Sequence, residues 1–137
     1  MRYAMFEQQR NVLILLARIL MMLLFVIFGA EKLIGFAGTV AYMTSLGLPL
    51  PTVSAAVVVI MELFVGIALA IGFYTRPLAL LLALYTLGTA LIGHHYWTLS
   101  GDAHAENMVS FYKNISIIGG LLLLCVVGPG KYSIDKR

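Results

Sequence analysis

Four long apolar runs alternate with short polar stretches along the chain, at residues 12–30, 52–73, 77–93 and 108–128. A helix needs about 20 apolar residues to cross a hydrocarbon core of roughly 30 Å, so each run predicts one crossing. The strictly apolar part of the last run, 115–127, would cover only roughly 20 Å at 1.5 Å per residue. That helix must therefore begin near Met108, and it carries Lys113 and Asn114 into the outer part of the membrane, with Lys113 snorkelling. Tyr74-Thr75-Arg76-Pro77 leaves room only for a tight turn, which makes the second and third crossings antiparallel neighbours. Pro77 is expected at the first position of the third helix, where a missing N–H costs little. Between the first and second crossings Phe36, Val40, Met43 and Gly47 recur at helical spacing, with Gly35 before them and Pro49 and Pro51 after. This pattern predicts a short interfacial helix in the first outer loop, too polar and too short to span. The expected fold is an all-α membrane protein, a four-transmembrane-helix bundle in a single domain over residues 1–137.

Composition agrees. The chain is 61% hydrophobic and only 11% charged, against roughly 25% charged residues in soluble domains. The net charge of +3 does not point to nucleic acid, because the basic residues flank apolar runs and form no patch with interleaved aromatics. Arg2, Arg10, Arg76, Lys131, Lys136 and Arg137 fall on the side of the termini, while Lys32 and Lys113 fall on the other. By the positive-inside rule the N- and C-termini are expected in the cytoplasm. The N-terminus is not expected to be a cleavable signal, because its first apolar run is long and holds an arginine. Cys125 is the single cysteine, which excludes an intrachain disulfide or a redox cysteine pair. Among apolar neighbours it reads as packing.

Two charges lie inside crossings and need partners, because an ionised side chain in the membrane faces protein or a wet cavity. On the first helix Arg18, Met22, Phe25, Gly29 and Lys32 form one stripe at 3.6 residues per turn. Glu62, Gly66, Leu69 and Phe73 form a stripe on the second. Centring each span in the bilayer puts Arg18 and Glu62 about 6 Å apart along the axis, within reach of an arginine side chain. A buried Arg18–Glu62 pair is therefore expected, with Lys32, Lys113 and Asn114 as further members of a buried polar network. The pair reads either as a structural clamp that fixes helix register or as a site for a proton or a polar head group.

The most polar internal stretch, 94–112, is expected to be an outer loop with Tyr96 and Trp97 as interfacial anchors. Its His94, His95 and His104 are weak metal candidates. Imidazole is suitable chemistry, but adjacent histidines on a helix point about 100° apart and no HxxxH pair exists. No metal is expected. No nucleophile elbow, phosphate-binding glycine loop or triad geometry appears, so no catalytic residue is assigned and an enzymatic role of the chain alone is disfavoured.

FGAEKLIGF after an arginine-bearing first span, LGLPLP, ELFVGIALAIGFYTRPLA, IGHHYW, FYKN and a closing GPGKYSID together resemble the DoxX family of small bacterial inner-membrane proteins. The resemblance covers almost the whole chain. It implies a four-helix membrane bundle whose relatives are linked to thiosulfate:quinone oxidoreduction, to terminal quinol oxidase complexes, or to oxidative-stress and thiol-handling partners. It supplies no agreed catalytic residue, and the chain holds no haem or copper ligand set. The function it implies is an accessory subunit of a quinone-linked redox complex, with a lipophilic ligand such as quinone near the buried charges. The alternatives are a small proton-coupled transporter, which at this size needs a homo-oligomer, and a membrane scaffold for a soluble redox enzyme.

Overall fold

The computed structural model describes residues 5–136; Arg2 and Arg137, counted above on the terminal side, lie outside them. Four helices cross: α1 (Arg10–Ile34), α3 (Pro51–Ile71), α4 (Thr75–Gly93) and α5 (Gly101–Val127). The short helix between the first and second crossings is α2 (Phe36–Ser45). Their outward faces carry exposed Leu20, Leu84, Leu123 and Val126, as expected where lipid rather than water is the solvent. Inward, Met22, Phe25, Val65, Leu69, Leu82, Leu121 and Leu124 form one core.

Two elements differ from expectation. First, α5 begins at Gly101 rather than near Met108. Ala103, Ala105 and Glu106 favour helix, and Asp102 sits in the first turn, where the helix dipole stabilises a carboxylate. Much of the expected loop is therefore helix projecting beyond the apolar band. Second, α3 is not uniform: Ile60–Val65 is a π-helical segment. Such wider turns are rare and recur at functional sites, and this one holds Glu62.

Glycine sets the register of α1 against α3. A Cβ on Gly29 would lie 2.6 Å from the Leu63 backbone nitrogen and 2.9 Å from the Glu62 carbonyl carbon. A Cβ on Gly66 would lie 3.4 Å from the Phe25 Cβ, and one on Gly72 would meet Arg18 Nη1 at 2.5 Å. The two helices thus run antiparallel with Gly29 opposite Glu62–Leu63, Phe25 opposite Gly66, and Arg18 opposite Gly72. Small residues of this kind let membrane helices approach backbone to backbone.

The terminal end of the bundle is closed by the chain's own tail. After Gly128, which ends α5 at φ 84°, the segment folds back. Its Ile134 and Asp135 N–H groups donate to the Ile71 and Gly72 carbonyls at 3.2 and 2.9 Å. Asp135 accepts from the Tyr74 and Thr75 N–H groups at 3.0 and 2.8 Å, so it caps the N-terminus of α4 from a distant part of the chain. Arg76 donates to the carbonyls of Cys125, Val126 and Val127. It supplies donors and positive charge where α5 leaves carbonyls unpaired.

Candidate functional site

The expected Arg18–Glu62 pair does not form. Arg18 is 1% exposed, and its Nη1 and Nη2 donate to the Pro129 and Tyr132 carbonyls at 2.7 and 2.6 Å. It is the anchor of the C-terminal tail. The stripes were read correctly in face except at one end: Arg18, Met22, Phe25 and Gly29 are the buried residues of α1, and Glu62, Gly66 and Leu69 are buried on α3, whereas Phe73 lies past the end of α3 and is exposed. The error is in register. Centring each span in the bilayer assumes equal depth, whereas close packing at Gly29 and Gly66 slides α3 along α1. The residue of α1 level with Glu62 is Gly29, and Arg18 lies eleven positions away, roughly 16 Å along the axis.

Glu62 instead meets the other basic residue of the same stripe. Lys32 Nζ donates to Glu62 Oε1 at 2.6 Å, and Tyr85 Oη on α4 donates to Glu62 Oε2 at 2.6 Å. The Glu62 side chain is 10% exposed and that of Lys32 35%. Both carboxylate oxygens are therefore bonded, as a buried charge requires. Lys32 reaches inward from the last turn of α1, where a cation also suits the helix dipole. Its ammonium uses one of three donors on Glu62. Tyr85 escaped the sequence reading, which looked only for a cation. A phenol midway along an apolar crossing, with Thr86 and Thr89 close behind, is the signal that pointed to it.

This array faces a cavity of about 570 Å³. The half of α3 away from the chain termini, Pro51–Val59, leans on α1 and α2 and makes no close backbone approach to α4 or α5. The wedge left between them is the cavity. Leu46, Leu48, Val53, Val57 and Ile92 line its walls, and Lys32, Glu62, Tyr85, Lys113 and Asn114 its polar part. Val53 and Val57 are themselves about half exposed, so the cavity opens sideways toward lipid. Its volume and its apolar walls with few polar groups are those of a small-molecule site. Of the expected network, Lys32, Glu62, Lys113 and Asn114 share this cavity. Arg18 does not.

The histidines diverge. His94 Nδ1 lies 3.0 Å from Asn107 Oδ1, and His104 Nδ1 lies 2.9 Å from the Tyr96 carbonyl. Tyr96, Trp97, Phe111 and Tyr112 pack edge to face on one another, with His104 against Tyr96 and His95 against Trp97. Among the described residues no three His, Cys, Asp or Glu side chains come together as a metal site would require.

Four apolar crossings, sealed at one end by the tail and opened to lipid near the other, define a small polytopic membrane protein with a ligand-sized cavity. The chain belongs to the DoxX family, whose model matches residues 13–95. That segment contains Lys32, Glu62 and Tyr85; Lys113, Asn114 and the tail lie beyond it. The chain is 53% identical to inner membrane protein YphA of Escherichia coli over 100% of its own length and 98% of that protein. It is 43% identical to inner membrane protein YqjF of the same organism over 95% of each chain. A more distant similarity, 32% identity over 58% of this chain and 26% of the other, is to the ER-derived vesicles protein ERV29 of Saccharomyces cerevisiae. No solved structure matches. The chain is thus an integral inner-membrane protein of the DoxX type.

Proposed function

We propose that the protein is an accessory subunit of a quinone-linked redox complex and that it binds a lipophilic ligand of the quinone class in the lateral cavity. The observation that carries this reading is the Lys32–Glu62–Tyr85 array on the wall of an apolar, lipid-open cavity. A quinone carries carbonyl acceptors on a flat apolar ring. Lys32 retains two N–H donors for such a carbonyl, and the apolar walls suit ring and tail. The array is charge-balanced, which favours a neutral head. In this reading a redox partner docks on the membrane-embedded chain. The termini lie in the cytoplasm in this reading, because Arg10, Arg76, Lys131 and Lys136 gather at the sealed end.

A short-tailed benzoquinone added to the purified protein in neutral detergent tests the proposal. It is expected to raise the unfolding temperature in a saturable manner, since a ligand that binds only the folded state stabilises it by mass action. Glu62→Gln keeps the side-chain shape and removes the charge that holds Lys32. A ligand seat then loses quinone binding while the helical fold persists, whereas a pure clamp loses folding. No stabilisation by quinone, together with no quinone in the protein extracted from native membranes, would sink the proposal.

A further inference from the structure

The polar lining of the cavity does not balance. Glu62 is the one carboxylate among its lining residues, and Lys32 already neutralises it. Lys113 of α5 lines the same space and has no ion-pair partner among the described residues. Its neighbour Asn114 is 9% exposed, lines the cavity, and has no side-chain hydrogen-bond partner among the described residues. Its amide atoms are not among the fully enclosed polar atoms that lack a partner, so they are reachable from the cavity. Lys113 is itself exposed, so its ammonium is open to a ligand entering the cavity. Donors without acceptors and an uncompensated positive charge thus lie at the polar end of a space whose other walls are apolar.

We infer that Lys113 and Asn114 form a seat on α5 for the anionic head of an acyl lipid, whose chain lies along the apolar walls and leaves by the lateral opening. The head brings what the seat lacks: carboxylate or phosphate oxygens that accept from the Asn114 amide and pair with the Lys113 ammonium. Charge-assisted hydrogen bonds of this type are about twice as strong as neutral ones. The α5 seat is distinct from the Lys32–Glu62–Tyr85 array, which is already neutral, and it stands whether or not quinone binds. Carboxylate of a free fatty acid and phosphate of an anionic phospholipid offer the same chemistry, and the probes separate them.

Binding is measured on the purified full chain in a neutral maltoside detergent. The probes are oleate, its methyl ester, phosphatidylglycerol, and phosphatidylcholine as the zwitterionic control. Oleate, phosphatidylglycerol or both are expected to bind saturably and raise the unfolding temperature, while the ester and phosphatidylcholine bind at least roughly tenfold more weakly, the equivalent of about one charged hydrogen bond. Oleate alone identifies a free carboxylate as the head, phosphatidylglycerol alone a lipid phosphate. Lys113→Gln and Asn114→Ala should each weaken binding by about tenfold. Lys113→Arg should retain it, and Lys136→Gln, at the opposite end, should leave it unchanged. Equal binding of oleate and its ester, or native affinity in Lys113→Gln, overturns the seat. Quinone binding without discrimination between oleate and its ester removes the α5 seat alone. The opposite result removes the quinone reading alone.

Discussion

Replacing Gly29 by alanine tests the packing that decides which cation meets Glu62. The added Cβ would lie 2.6 Å from the Leu63 nitrogen and 2.9 Å from the Glu62 carbonyl carbon. Both are backbone atoms of α3, so no side chain can swing aside. Restoring an ordinary contact of about 3.4 Å requires α1 and α3 to separate by roughly 0.8 Å. A gap of that size forfeits a quarter to a half of each dispersion contact along the seam, which here joins Met22 and Phe25 to Val65 and Leu69. Overpacking of a tight core costs about 1–3 kcal/mol. Against this stands the higher helix propensity of alanine, up to about 1 kcal/mol. Gly38 on α2 has nothing within 4 Å of its Cβ position, so Gly38→Ala keeps the propensity gain without the clash. Thermal unfolding in detergent should therefore show Gly29→Ala less stable than the native chain and Gly38→Ala equal or more stable. Equal stability of the two variants would refute the close approach at Gly29 and, with it, the register that separates Arg18 from Glu62.

Arg18→Met removes both bonds that hold the tail through Pro129 and Tyr132; a cysteine at Ser133, in a Cys125→Ala background, should change from slow to fast labelling by a water-soluble maleimide. Asp135→Ala leaves two N–H groups at the start of α4 uncapped and should cost about 1 kcal/mol in an unfolding titration. Tyr85→Phe removes one of two bonds to the Glu62 carboxylate and should cost about 1–3 kcal/mol. Lys32→Met strands the buried acid without its cation and should cost more, about 3–5 kcal/mol; a Lys32→Met protein no less stable than Tyr85→Phe would contradict the pairing.

Periodicity along single helices was legible; the relation between helices was not. Arg18, Met22, Phe25 and Gly29 could be grouped because 3.6 residues per turn is a property of one chain segment. Which of Arg18 and Lys32 meets Glu62 depends on how far α3 slides along α1, and two glycines settle that through backbone contact. Neither hydropathy nor depth reports it. The π-helical segment was illegible for a similar reason. IMELFV is ordinary helix-forming sequence, and nothing in its periodicity marks the wider turn. The tail looked like a solvated basic end, because Lys131, Lys136 and Arg137 outnumber its apolar residues. Its structural content sits in backbone groups and in Asp135, which composition does not reveal.

The cations that face the bundle divide the molecule by role. Arg18 and Arg76 spend their donors on main-chain carbonyls, geometry that the planar fork of guanidinium suits. They join segments far apart in sequence and close the end where the termini lie. Lys32 and Lys113 are flexible point charges at the other end, beside a cavity open to lipid. A lysine can exchange one acceptor for another by rotating its ammonium, whereas a guanidinium bonded to two fixed carbonyls must give up both to move. A bundle that used arginine beside the cavity would hold its cavity end as tightly as its sealed end. Lysine there leaves donors free for the proposed head group without loosening the sealed end. Any ligand exchange would then fall in the half where α3 stands apart from α4 and α5.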